Sequence, residues 1–89
     1  MTKRSKLEIV RDILKTVQTN RNSIKVTPLI RKSNLSSARF SEYFNELLTK
    51  GFIIERIEKS GKVIVVTEKG FRYLEKYQNI VGFIEEFDL

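Results

Sequence analysis

The 89-residue chain has no cysteine, no histidine and no tryptophan, and it has only one proline and four glycines. Without cysteine there is no disulfide to staple a small fold, no thiol nucleophile and no thiolate metal site. Without histidine the commonest general base and the commonest zinc ligand are both missing. The scarcity of proline and glycine excludes a linker or a collagen-like repeat. The longest apolar runs, such as Val63-Ile64-Val65-Val66, are far too short to span a bilayer. The first six residues are basic, but Glu8, Arg11 and Asp12 interrupt the apolar stretch that a secretory signal needs. No signal is therefore read, no membrane partner is expected, and the expected location is cytoplasmic.

What remains is one small domain of 10.5 kDa. A compact fold of this mass exposes roughly 5,400 Å² and buries about 64% of its extended-chain surface, which makes a thin core. Self-association would support such a core. Seventeen Lys and Arg face eleven acids, giving a net charge of +6 and a pI near 9.8. The excess is concentrated. Residues 1–50 hold eleven cations and four acids, residues 51–70 four and three, and residues 71–89 two and four. The first half, at net +7, suits a polyanionic partner. The last segment, at net −2, must serve another purpose.

Periodicity and caps divide the chain. Ser5-Lys6-Leu7-Glu8 fits a capping box, followed by Leu7, Val10, Ile13, Leu14 and Val17 at helical spacing, with Ile9 beside Ile13. Ile24-Lys25-Val26 alternates over a length sufficient only for a small strand. Thr27-Pro28 reads as an N-cap and first helical residue, opening a short second helix that ends near Ser33. Asn34-Leu35-Ser36 reads as a turn ending in an N-cap. A third helix follows, with Phe40, Phe44, Leu47 and Leu48 on its inner face and Gly51 as a left-handed stop. A strand from Phe52 to Lys59, a tight turn at Ser60-Gly61 and a return strand over Val63–Val66 make a hairpin. Thr67 caps a last helix.

Two short helices joined by a tight turn and followed by a hairpin make an α+β fold, a winged helix-turn-helix. Residues 1–70 are assigned to that unit and residues 71–89 to a C-terminal helix. The sequence resembles the archaeal winged-helix DNA-binding proteins of about ten kilodaltons, whose helix-turn-helix places its second helix in the major groove. The resemblance rests on Ser5-Lys6-Leu7-Glu8-Ile9-Val10, Val26-Thr27-Pro28-Leu29-Ile30, Ser33-Asn34-Leu35-Ser36 and Thr67-Glu68-Lys69-Gly70, and it covers nearly the whole chain. It implies a transcriptional regulator or nucleoid-associated chromosomal protein. It also implies a homodimer joined by an antiparallel coiled coil of the last helices. The last helix here is short for a rod and suits a compact helix pair.

The third helix is the expected recognition helix. With Phe40, Phe44 and Leu47 inward, Ser37, Arg39, Ser41, Glu42 and Asn45 project outward or to the flanks, and Ser36 precedes them. Arg39 can pair bidentately with guanine, Asn45 can reach adenine or phosphate, and Glu42 can accept from cytosine. Lys59, Ser60, Gly61 and Lys62 form a wing tip suited to phosphate or minor-groove contact. Arg31 and Lys32 end the second helix, where cations either meet phosphate or complement the helix dipole. Lys3, Arg4 and Lys6 form a basic arm expected to be disordered. In the last helix Tyr73, Tyr77, Ile80, Ile84 and Phe87 recur at steps of four and three, a heptad seam expected to carry the dimer. A second stripe of Phe71, Leu74 and Val81 is expected to pack on the body.

The other aromatics fit core packing better than stacking platforms. Glu85, Glu86 and Asp88 diverge around a helix rather than converge, so they read as a solvated tail and not a metal site. No enzyme activity, cofactor, metal or small-molecule ligand is expected. The expected partners are double-stranded DNA and a second copy of the chain. The rival reading is a winged-helix protein–protein assembly module, which has no need for the charge of the first half.

Overall fold

In the computed structural model, which describes residues 4–89, the order is α1 (Lys6–Thr19), α2 (Val26–Ser33), α3 (Ser37–Thr49), β1 (Ile53–Glu58), β2 (Gly61–Val66) and α4 (Glu68–Glu86). The expected winged helix is present. Lys3, counted with the basic arm, lies outside the described residues.

α1 begins at the capping box. The Glu8 amide donates to the Ser5 hydroxyl at 3.2 Å, and the Ser5 amide donates to the Glu8 carboxylate at 3.5 Å. Its buried face is Ile9, Val10, Ile13, Leu14 and Val17. Leu7, expected on that face, is exposed, because it lies in the first turn at the rim of the body. Arg4 corrects the expectation of a disordered arm. Its guanidinium donates to Asp12 Oδ2 at 2.8 Å and to the Ser33 carbonyl at 2.9 Å, tying the start of α1 to the end of α2.

α2 departs from its expected start. Thr27 is not the N-cap: Lys25 holds that position without a side-chain bond, and the Leu29 amide already donates to the Lys25 carbonyl. The cause is Ile24. Its amide and carbonyl both pair with Ile64 of β2, at 3.2 and 2.7 Å, so the chain must turn at once. Pro28 then falls in the third helical position, where its missing N–H has no intrahelical acceptor to lose. The expected strand over 24–26 shrinks to this one bridge. At the other end Ser33 is buried, and its hydroxyl donates to the Ile30 carbonyl at 2.6 Å and accepts from the Leu35 amide at 3.3 Å. Asn34 takes the left-handed conformation (φ 60°) that ends the helix.

α3 is capped by Ser36, whose hydroxyl accepts from the Arg39 amide at 3.2 Å. Phe40 and Leu47 are buried, and Phe40 stacks on Phe44 with centroids 5.4 Å apart. Gly51 adopts φ +77° as the left-handed stop, and the Phe52 amide donates back to the Leu47 carbonyl at 2.9 Å. The hairpin pairs antiparallel from Ile53↔Val66 to Glu58↔Gly61. Its turn sits one residue earlier than expected: Lys59 and Ser60 form the tip, while Gly61 (φ +117°) is already paired. β1 accordingly loses Phe52 and Lys59 from its expected ends. On the free edge of β2 the Asn22 amide side chain both donates to Val66 O (3.2 Å) and accepts from Val66 N (2.9 Å), imitating one more strand residue.

Thr67 caps α4 by accepting from the Gly70 amide at 3.2 Å, and its hydroxyl donates to the Gly51 carbonyl at 2.6 Å. Gly70 packs against the Phe52 carbonyl and the Val66 side chain, leaving no space for a Cβ. α4 is then held along α1. The Tyr73 hydroxyl donates to the Leu7 carbonyl at 2.8 Å, and its ring meets Phe52 edge-on at 5.6 Å. The Arg11 guanidinium lies 5.2 Å from the Tyr77 ring centroid. Partial burial raises the Tyr73 phenol above its ordinary value. Near the start of α1, Glu46 of α3 accepts from Lys50 at 2.8 Å and from Lys6 at 2.7 Å.

Two outcomes follow from these contacts. Gly70→Ala should destabilise the fold by about 1–3 kcal/mol, the cost of forcing atoms into a filled site, as measured by urea unfolding. The Lys50 and Lys6 hydrogen bonds lower the Glu46 carboxyl from 4.5 to about 2. A depressed carboxyl pKa stabilises above its unfolded value and is lost as pH falls through the folded one. Carbon NMR titration should therefore place Glu46 near 2, and replacing both Lys6 and Lys50 by alanine should return it toward 4.5.

Candidate nucleic-acid interface

The inward aromatics of α3 determine what its outer face presents. With Phe40 and Leu47 buried and Phe44 half-buried, Ser37, Arg39, Ser41, Glu42 and Asn45 all lie exposed on one continuous surface. Arg39 has no ion-pair partner among the described residues, so its guanidinium fork is free for an external acceptor. Its backbone is nonetheless fixed, because its amide is the one capped by Ser36. The Ser36 hydroxyl spends an acceptor site on that cap and keeps its proton to donate outward. Arg31 and Lys32 are exposed in the last turn of α2.

The wing tip is less strongly cationic than its lysines suggest. Lys59, Ser60, Gly61 and Lys62 are all exposed. Lys62 lies 3.2 Å from Glu55, and Arg56 lies 3.5 Å from Glu58. Such exposed pairs are worth about 0–1 kcal/mol and yield readily to a phosphate. Lys59 has no ion pair among the described residues.

The structure adds a feature that the sequence reading missed. Between the wing and the start of α2 lies a cleft of about 370 Å³, with Asn20, Ser23, Lys25 and Lys32 on one side and Glu58 and Ser60 on the other. Lys25 was legible as exposed, since it alternates with the buried Ile24. Its closeness to the wing was not, because it arises from the Ile24–Ile64 bridge across 40 residues of chain. Of the basic arm, Arg4 and Lys6 are engaged with Asp12 and Glu46 and are not free cations.

The proposed seam of α4 divides at Tyr77. Tyr73 and Tyr77 are half-buried against the body. Ile80, Ile84 and Phe87 are exposed, and so is Phe83, a residue outside the heptad seam. The four are 43–58% exposed, and the Phe83 and Phe87 rings lie 4.9 Å apart. Their spacing of three, one and three is that of a single helix face, which is the signal that would have included Phe83. In the second stripe Leu74 and Val81 are half-buried and Phe71 is exposed. No helix among the described residues is long and apolar enough to cross a membrane.

Comparison with known proteins agrees with this geometry. Sso10a-2, a DNA-binding protein from Sulfolobus solfataricus, superposes with a TM-score of 0.76 at 21% identity, over 94% of this chain and 85% of that one. F93 from STIV, a winged-helix DNA-binding protein, gives 0.73 at 20% identity, over 89% and 91%. SSV1 F-93 gives 0.71 at 24% identity, over 99% and 95%. At these identities the likeness is one of fold. No curated protein matches the sequence. The family model of the winged helix-turn-helix matches residues 3–85, nearly the full length, and the chain belongs to that family.

Proposed function

We propose that this protein binds double-stranded DNA as a homodimer, as a transcriptional regulator or a nucleoid-associated chromosomal protein. Residues 1–70 would bind the DNA and residues 71–89 would join the two copies. The observation that carries the DNA reading is the exposed face of α3, on which Arg39 has no ion pair among the described residues, together with the exposed wing and the cleft lined by Lys25 and Lys32 at α2. Two of the superposed proteins are described as DNA-binding. Phosphate neutralisation by Lys25, Arg31, Lys32, Lys59 and Lys62 supplies most of the affinity, and it makes binding steeply salt-dependent. Arg39 reads guanine, Asn45 adenine and Glu42 cytosine. Ser36, Ser37, Ser41, Ser60 and the Gly61 backbone position the protein on phosphates. The reading is one of binding without catalysis.

The dimer reading rests on surface that a monomer leaves uncovered. The chain exposes 6353 Å², against roughly 5,400 Å² for a compact protein of its mass. Its radius of gyration is 13.7 Å, against roughly 12 Å for a compact chain of this length. The far half of α4 contributes to both excesses, with Ile80, Phe83, Ile84 and Phe87 bare. Pairing these faces about a two-fold axis presents two recognition helices to half-sites about 34–36 Å apart or more.

In fluorescence anisotropy on a duplex selected from a random library, Arg39→Ala should cost about 1–3 kcal/mol and relax the choice at one base pair. Equal losses on selected and random duplexes would remove Arg39 from base reading. No binding of any duplex by the unmodified protein would favour the assembly-module reading instead. Light scattering at tens of micromolar should give twice the 10.5 kDa chain mass. Ile84→Asp should give a monomer with much weaker DNA binding. A monomer mass for the unmodified protein would refute the dimer.

A further inference from the structure

Ile57 is the most exposed large apolar side chain of the winged-helix body, at 76%. Its position explains why. Along β1, Ile53, Glu55 and Ile57 share one face by strand alternation, and Lys62, Ile64 and Val66 of β2 lie opposite them. Ile53, Ile64 and Val66 bury this face in the core. The Ile57–Lys62 pair lies one step past Ile64, the last core residue on this face, whose partner Glu55 is already exposed. The alternation therefore carries an isoleucine out onto the free end of the wing, where a polar residue would cost nothing. The cations around it select the kind of surface that would cover it. Lys62 stands directly across the ladder and Lys59 lies two residues on at the tip, while Arg56 takes the opposite face of the strand. The two neighbouring acids are already partnered, Glu55 by Lys62 and Glu58 by Arg56. An apolar side chain with one lysine across the ladder and another at the tip suits a polyanion with an apolar interior, which is a description of stacked base pairs between phosphate strands.

We propose that Ile57 is a wedge: when the wing enters the minor groove, Ile57 inserts between two base pairs and kinks the duplex. The proposal rests on the DNA-binding reading and assigns the wing a task beyond phosphate contact. Isoleucine is among the side chains that partly unstack a base step in this way, bending DNA by roughly 20–90° toward the major groove. The apolar surface buried on insertion offsets the unstacking, while Lys59 and Lys62 hold the flanking phosphates. The step beneath the wing should be a pyrimidine–purine step, since TA and CA/TG steps unstack most easily.

The test uses the full chain and a duplex of about 30 base pairs carrying a donor and an acceptor dye at its ends, short against the persistence length of DNA so that any bend is due to the protein. Binding should shorten the end-to-end distance, and a 2-aminopurine at the kinked step should brighten. Ile57→Ser should bind about three- to tenfold more weakly, from the lost apolar burial, with an unchanged salt slope and without the bend. Ile57→Leu should keep both affinity and bend. Neither variant should shift the melting temperature, because Ile57 contributes little to the core. Binding without a bend by the unmodified protein, or an equal bend with Ile57→Ser, overturns the wedge and leaves DNA binding standing. A reduced salt slope for Ile57→Ser also overturns it, since the loss would then be one of phosphate contacts. Failure of the unmodified protein to bind any duplex overturns the DNA reading and the wedge with it.

Discussion

One hydroxyl holds the parts of this fold in register. Thr67 donates to the Gly51 carbonyl at the end of α3, accepts from the Gly70 amide at the start of α4, and follows directly on β2. Its own amide donates to the Phe52 carbonyl, where the chain enters the wing. The stop of α3, both bases of the hairpin and the start of the last helix thus meet at one point. Gly70 makes the meeting possible, because only a residue without Cβ lets α4 sit on the Phe52 carbonyl. The angles at which α3, the wing and α4 leave the body are all determined at this junction.

From it, two regions of opposite character diverge. On one side the aromatics of α3 turn inward and leave a polar face, and the Ile24–Ile64 bridge brings Lys25 and Lys32 up to the wing. On the other side α4 is gripped over its first turns by Phe52, Leu7 and Arg11, and then runs on with an apolar face and acidic residues. The cationic surface and the apolar face of α4 are therefore carried at different places on the molecule. A segment at net −2 is better kept away from a phosphate backbone, and a cationic helix face is poorly suited to a dry interface.

Several cations that look available in the sequence are structural. Arg4 bridges α1 to α2, Lys6 clamps Glu46 across to α3, and Lys69 donates to the Lys50 carbonyl while lying 4.9 Å from the Phe52 ring centroid. The positive charge of the candidate interface is therefore carried by fewer than the seventeen Lys and Arg of the sequence. It is spread over the end and start of α2, the start of α3 and the wing. Localisation of this kind would fix an orientation on a polyanion, which a diffuse charge would not.

Much was legible locally. The capping box of α1, the Gly51 stop, the inward stripe of α3 and the Thr67 cap depend on residues within a few positions of one another, and each formed where its residues predict. Several features that the sequence leaves open share one cause, which is a partner distant in the chain. Thr27 is a good N-cap residue in isolation, yet Ile24 is seized by Ile64 and the helix starts before it. Arg4 reads as a loose arm until Ser33 and Asp12 are brought beside it. Tyr73 and Tyr77 share a seam with Ile80 and Ile84 by spacing alone, and only the packing of α1 covers the first pair and leaves the second bare. The sequence by itself determined the elements and the sidedness of each helix, because those follow from dihedral preferences and short-range periodicity. The tertiary structure decided which cations stay free and which apolar residues lie beyond the core, because both depend on contacts between segments that the chain holds far apart.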